Sequence, residues 1–170
     1  MKKLLFLTLI FSINVSCFYF GNDDDDITDP IHSAYEAVTI SRESLENSTE
    51  LIGVQPSKES GKIYVKDHYL IINEPYKGFH IYDNSNPESP IKIGFLKILG
   101  STDISIKGNV IYANNAIDLI AITINPAFNE IEVTKRVKNI FPKLVSPDGF
   151  YHNSESKEEE IVLDWNLKTN

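Results

Sequence analysis

Residues 65–73 read VKDHYLIIN, and residues 106–114 read IKGNVIYAN. They lie 41 positions apart and match in type: an aliphatic residue, Lys, a polar corner, then an apolar run ending in Asn. Asp67-His68 and Gly108-Asn109 form the corners, the second with the glycine chemistry that tight hairpins favour. At the same offset Phe79 lies over Ile120, Ile81 over Ile122, Asp83 over Ile124 and Asn84 over Asn125. A period of about 40 residues, with several short strands per unit, predicts an all-β chain of β-propeller-like blades. A parallel solenoid would repeat at a shorter period, and a sandwich need not repeat at all.

Helix signals are absent from Lys62 onward. KIYVK, YLIIN, GFHIYD and IKIGFLKI are short runs rich in Ile, Tyr and Phe, separated by turn residues. Pro87 and Pro90 cannot donate to a strand ladder, so NSNPESP (84–90) is an obligate break. EIEVTKRV (130–137) closes a second unit, IFPKLVSPDGFYHN (140–153) is irregular, and IVLDWNL (161–167) supplies one further strand. The regular part, residues 62–170, therefore holds two repeats plus an extra strand. Propellers usually have about four to eight blades, so the architecture is partial. A short or truncated chain, assembly with copies of itself, and an N-terminal fragment all fit, and a short or truncated member is the expected case. Open strand edges would favour self-association. Ahead of the repeats, residues 34–61 are mixed: EAVTI (36–40) reads as a strand, and Ser41 is placed to cap a single helical turn.

The N-terminus speaks to location. Lys2 and Lys3 precede an apolar run from Leu4 to Ile13. That run is well short of the roughly 20 residues a membrane-spanning helix needs, and reads as a signal peptide over residues 1–16. NVSC (14–17) puts the chain's single Cys where a bacterial lipobox needs it, so Cys17 is the expected lipidation site and the membrane the expected partner. The plainer alternative, a secretory signal with an incidental Cys, wants small residues one and three positions before the cut. Asn14 fits that poorly. A single Cys also excludes a disulfide framework within the chain. Removing residues 1–16 leaves 14 basic against 24 acidic side chains, so the mature chain has no basic footprint for a nucleic acid. Asp23 to Asp26 lie in a solvated acidic tether, residues 17–33. Nothing nearby supplies the rigid loop and ligand spacing of a calcium site.

One stretch carries a resemblance. GFHIYDNSNPESPIKIG (78–94) resembles the LVIVD repeat, in which a Gly leads into alternating aliphatics, an Asp, and a Ser/Asp-Pro turn before a Pro-led strand. The span from TISRESLENS through GKIYVKDHYLIINE and DISIKGNVIYANNAIDLIAI to KRVKNIFP, residues 39–142, is similar to LVIVD-repeat lipoproteins of Bacteroidetes. The acidic run after Cys17 likewise resembles the surface-export signal of Bacteroidetes lipoproteins. The resemblance implies a β-propeller fold and an outer-membrane, lipid-anchored, surface-exposed location. It brings no catalytic motif.

Chemistry is sparse. His32, His68, His80 and His152 show no metal-ligand spacing, and His80 should face the wetter side of its strand, opposite Phe79 and Ile81. No Ser-His-Asp order, phosphate-binding glycine loop or Cys-His pair is present, and no cofactor or metal is expected. Glycoside hydrolysis needs two carboxylates at a set separation. Asp67, Glu74, Asp83, Asp103 and Asp118 fall at strand ends, and Asp103 and Asp118 flank one hairpin. Tyr76, beside Pro75 in a strand connection, is the best-placed aromatic contact, ahead of Trp165 and the strand tyrosines. Asp103, Asp118 and Tyr76 are thus the candidate ligand contacts. The function expected is a lipid-anchored envelope protein with an interaction scaffold for another envelope protein or a glycan, without catalysis. The alternative is an extracytoplasmic carbohydrate-binding accessory or hydrolase.

Overall fold

The computed structural model describes residues 32–153 and 159–169. The stretch read as a signal peptide, Cys17 and the acidic run lie outside the described residues. The chain divides into two units, and everything described belongs to the second, His32–Asn170. Its elements run β1 (Tyr35–Ser41), α1 (Arg42–Glu46), β2 (Glu50–Ile52), β3 (Ile63–Lys66), β4 (Tyr69–Glu74), β5 (Gly78–Asp83) and β6 (Ile91–Lys97). They continue with β7 (Ile104–Lys107), β8 (Val110–Asn115), β9 (Asp118–Ile124), β10 (Ile131–Val137) and β11 (Glu160–Leu167). The described residues are all-β, 49% strand and 4% helix, in several antiparallel sheets, none of them closed.

The alternation of apolar and polar residues explains the strands. β9 buries every second side chain, Asp118, Ile120, Ile122 and Ile124, as a strand covered mainly on one face does. β3 to β6 form a meander, with β2 added beside β6 to make a five-stranded sheet. β7 to β10 form a second meander of four strands. β1 pairs with β11 in a separate two-stranded sheet, with Tyr35 opposite Leu167 and Ser41 opposite Glu160. The further strand expected at 161–167 thus finds its partner at the other end of the unit. Ser41 ends β1 and caps α1, accepting a hydrogen bond from the Ser44 N–H.

The two meanders follow one plan with one difference. β3 starts at 63 and β7 at 104, β4 at 69 and β8 at 110, so the offset there is the one read from the sequence. The next turn then changes it. Pro75, Tyr76 and Lys77 link β4 to β5, whereas only Ala116 and Ile117 link β8 to β9. Ile71 faces Ile81 across the first hairpin, and Tyr112 faces Ala121 across the second. The structural counterpart of Ile81 is therefore Ala121, not Ile122, that of Phe79 is Leu119, and that of Asp83 is Thr123. An ungapped alignment misses this because both strands of each hairpin are apolar enough to hide a slip of one. In a strand such a slip exchanges the two faces.

The exchange puts Ile120 and Ile122 on the same face of the second sheet as Ile111. The first sheet sends Ile71, Phe79 and Ile81 into the main core, and the second sends Ile111, Ile120 and Ile122. Ile111 is the neighbour of Tyr112, so the second sheet packs with the face opposite to the one the first sheet uses. The sheets stack head to tail, leaving one face of each turned outward. On the outward face of the first sheet, Ile63 and Val65 are 63% and 68% exposed, while their counterparts Ile104 and Ile106 pack in the core. A second, smaller cluster of Leu45, Ile117 and Ile161 joins α1 and β11 to the β8–β9 turn.

Gly78 opens β5 at φ 147, and a Cβ there would lie 2.2 Å from the Leu96 carbonyl oxygen. At Gly108, φ 58, a Cβ would meet nothing within 4 Å. Gly78→Ala is expected to lose about 3 kcal/mol, against about 1 kcal/mol for Gly108→Ala, in urea unfolding. Equal losses would rule out close approach of β5 and β6 as the reason for the glycine.

Candidate functional site

Of the three candidate contacts, the structure brings two together. Tyr76 and Asp103 line a recess of about 630 Å³ on the outward face of the second sheet. Ser105, Tyr112 and Leu119 from β7 to β9 make its floor. Phe141, Pro142 and Leu144 of the irregular segment and Val162 and Leu163 of β11 make the opposite wall. Three rings stand half-open around it: Tyr76 is 36% exposed, Tyr112 39% and Phe141 39%.

Local geometry holds the lip in place. Tyr76 has a left-handed backbone, φ 63. Its N–H donates to the Ser101 carbonyl at 2.8 Å and its own carbonyl accepts from the Gly100 N–H at 2.7 Å, which stitches the β4–β5 turn to the β6–β7 connection. Gly100 is needed there: at φ 71 a Cβ would lie 2.8 Å from Ala116 backbone atoms. Asn114 clamps the same connection, accepting from the N–H groups of Thr102 at 2.9 Å and Asp103 at 3.1 Å and donating to the Gly100 carbonyl at 2.9 Å.

The Asp103 carboxylate is paired with the Lys62 ammonium and accepts from the Tyr64 hydroxyl at 2.5 Å. The Lys62 hydrogen bond first, then that of Tyr64, hold its pKa below the usual carboxylate range. Tyr64 is pushed up to about 12, chiefly by burial and then by its donation to Asp103. Asp103 is thus an ionised, already partnered acceptor at the lip, unsuited to carrying a proton in a reaction near neutral pH.

Asp118 is elsewhere. The sequence places it with Asp103 at a hairpin rim; the structure buries it completely. It accepts from Arg42 Nη1 at 2.6 Å, Arg136 Nη1 at 2.8 Å and the Asn139 N–H at 3.0 Å. Arg42 also grips both oxygens of Glu159, at 3.1 and 3.0 Å, and Arg136 donates to Asn115 Oδ1 at 2.8 Å. Burial pushes the Asp118 carboxyl up, but the donations from Arg42, Asn139 and Arg136 outweigh it and leave its pKa below the ordinary value. Asp118 is therefore a structural centre tying α1, β9 and the segments flanking β10 and β11. Its partners lie 76 and 18 residues away in sequence, and only folding discloses them.

A second buried polar group corrects another expectation. His80 is 0% exposed rather than on a wet face. Its Nε2 lies 2.7 Å from Glu74 Oε2, and Glu74 Oε1 accepts from Lys77 Nζ at 2.9 Å. Burial raises the Glu74 pKa, and the hydrogen bonds from Lys77 and His80 reverse this, leaving it below its usual value. The covering is topological. β2 and β3 lie at opposite edges of the five-stranded sheet, so the segment between them must cross it. Lys92, which lies over the Tyr82 ring on the same face as His80, binds that segment at the Gln55 carbonyl, 2.9 Å, and the Ser57 hydroxyl, 2.7 Å.

The remaining aromatic residues mostly build the scaffold: Tyr69 stacks on Phe128 with centroids 4.1 Å apart, and Tyr64 meets Phe79 edge-on at 6.2 Å. Among the described residues no group of three or more His, Cys, Asp or Glu is arranged to hold a metal ion. Compared with protein-family models, curated proteins and solved structures, the chain matches none.

Removing the Asp118 charge leaves two half-buried arginines short of a partner. Asp118→Asn is expected to cost about 3–5 kcal/mol at pH 7. Because the folded pKa is depressed, the carboxylate's contribution is present above its unfolded pKa of about 4 and is lost as pH falls through the folded value. The stability gap between wild type and variant should narrow below about pH 4 in urea titrations. A gap that stays constant would show that this carboxylate does not set the acid limb.

Proposed function

We propose that this chain is a lipid-anchored protein of the bacterial cell envelope, carrying a β-propeller-like scaffold that binds through its recess and has no catalytic step of its own. Two meanders of like plan, stacked head to tail, support the blade-like reading. The charged, apolar and Ser16-Cys17 portions of the N-terminus support the anchor, and the acidic run after them supports exposure at the outer-membrane surface. The observation that carries the binding role is the recess itself. At about 630 Å³ and predominantly apolar, it has the size and character of small-ligand sites.

Hydrolysis of a glycoside is the weaker reading. It requires two carboxylates facing one bond, and Asp103 and Asp118 do not share a recess. A glycan-binding role keeps Tyr76 and Tyr112 as stacking surfaces, with the mostly apolar walls against it. The unpaired edge of β3, which carries exposed Ile63 and Val65, favours self-association as a further property.

Metabolic labelling with a palmitate analogue, followed by fractionation, tests the anchor. Wild type should carry the label and sediment with membranes, and Cys17→Ala should lose the label and move to the soluble fraction. Identical labelling and partitioning of both would overturn the reading.

A further inference from the structure

We infer that the recess is a site for an uncharged amphiphile, a molecule with an apolar body and a hydroxyl or similar neutral polar end. The inference rests on the binding role proposed above and narrows what is bound.

The first support comes from comparing like faces. Tyr64, Ile71, Asn73 and Phe79 of the first sheet correspond in the strand plan to Ser105, Tyr112, Asn114 and Leu119 of the second. In the first sheet this face is sealed by the second sheet, and Ile71, Asn73 and Phe79 are 1%, 2% and 0% exposed. In the second sheet, among the described residues, the 141–144 segment and β11 lie over it, and the recess is the volume they leave. Tyr112 stays 39% exposed where Ile71 is 1%. The face is thus of a kind that packs branched aliphatic side chains elsewhere in the same molecule, and here it is left partly unfilled. An apolar body replaces water there favourably, in proportion to the area it covers.

The second support is charge. Among the described lining residues there is no Lys, Arg or His, and Asp103 is the single carboxylate. An anionic head group would enter without a partner. A cationic head would have to compete for Asp103 with Lys62 and the Tyr64 hydroxyl, which already occupy both of its oxygens. Burying a charge without a partner is costly, whereas a hydroxyl needs only a hydrogen bond. The Thr102 and Ser105 hydroxyls, both exposed, supply donors and acceptors for it.

The unlipidated Cys17→Ala chain, kept otherwise whole and free of detergent, allows a direct test. The probe is N-phenyl-1-naphthylamine, an uncharged dye that brightens on entering an apolar site. Saturable brightening is expected, with displacement by 1-decanol at about tenfold lower concentration than by decanoate or decyltrimethylammonium, all below their aggregation limits. Ser105→Trp, which places a large ring in the recess from an exposed strand position, should weaken dye binding by about tenfold or more. Phe141→Ala, on an exposed connection and less demanding of the fold, should weaken it in the same direction. Circular dichroism matching the parent chain accompanies both variants. Absence of saturable brightening in the parent chain would overturn the binding role and the inference with it. Saturable binding unchanged in both variants would put the dye elsewhere and overturn the site. Binding lost in the variants but displaced equally by all three alkyl compounds would overturn the ligand class alone.

Discussion

The contact of Ile71, Phe79 and Ile81 with Ile111, Ile120 and Ile122 is what the rest of the molecule depends on. Each meander is too thin to bury an apolar face by itself, since a sheet needs a second layer against it. Here the second layer is another meander, presented by its opposite face. The β8–β9 turn, one residue shorter than the β4–β5 turn, matches β9 to that face by bringing Ile120 and Ile122 to the same side as Ile111, because side chains alternate with every residue. It has a consequence at both ends of the stack. Each sheet retains one apolar outward face, and the chain covers each by a different means: a crossing segment over His80 on the first, and the 141–144 segment with β11 on the second.

These coverings differ in completeness. Over the first sheet the central row is sealed, and sealing it buries His80 and Glu74, which compensate each other by hydrogen bonding with Lys77 at the margin. The pairing is incomplete, because His80 Nδ1 is buried with no hydrogen-bond partner among the described residues. Over the second sheet the cover stands off and leaves the recess. The ionic centre at Asp118 helps set that distance. It joins Arg42 after β1 to Glu159 before β11 and to Asn139 at the start of the covering segment. A site whose walls come from separate elements needs such a tie to hold its shape. Buried ion pairs add less to stability than their distances suggest, because both charges must be desolvated. Their contribution here is geometric.

Much of the strand plan is legible in the sequence. Alternation marks β3 to β10, the Asn-Pro break at 84–90 separates β5 from β6, and Ser41 announces α1. The recess is half legible. Tyr76 stands out through its neighbour Pro75, and Asp103 through its place before a strand. Tyr112 and Phe141 do not, because one looks like an ordinary strand residue and the other lies in a segment with no pattern. His80 and Asp118 mislead for a shared reason. Alternation tells which residues oppose one another but not whether the second face of a sheet is wet, and a strand-end carboxylate looks the same whether it meets water or two arginines.

The sequence by itself determined most of the strands, their turns, the spacing of about 41 residues between the two meanders and two residues of the recess, Tyr76 and Asp103. These depend on local backbone preference and on the pleat, which act over a few residues. Only the tertiary structure decided the one-residue change of register, the head-to-tail stacking, the pairing of β1 with β11, the burial of Asp118 and the existence of an unfilled apolar recess. Each of these depends on contacts between residues far apart in the chain, where the deciding quantity is the space left between packed surfaces, and no local pattern encodes it.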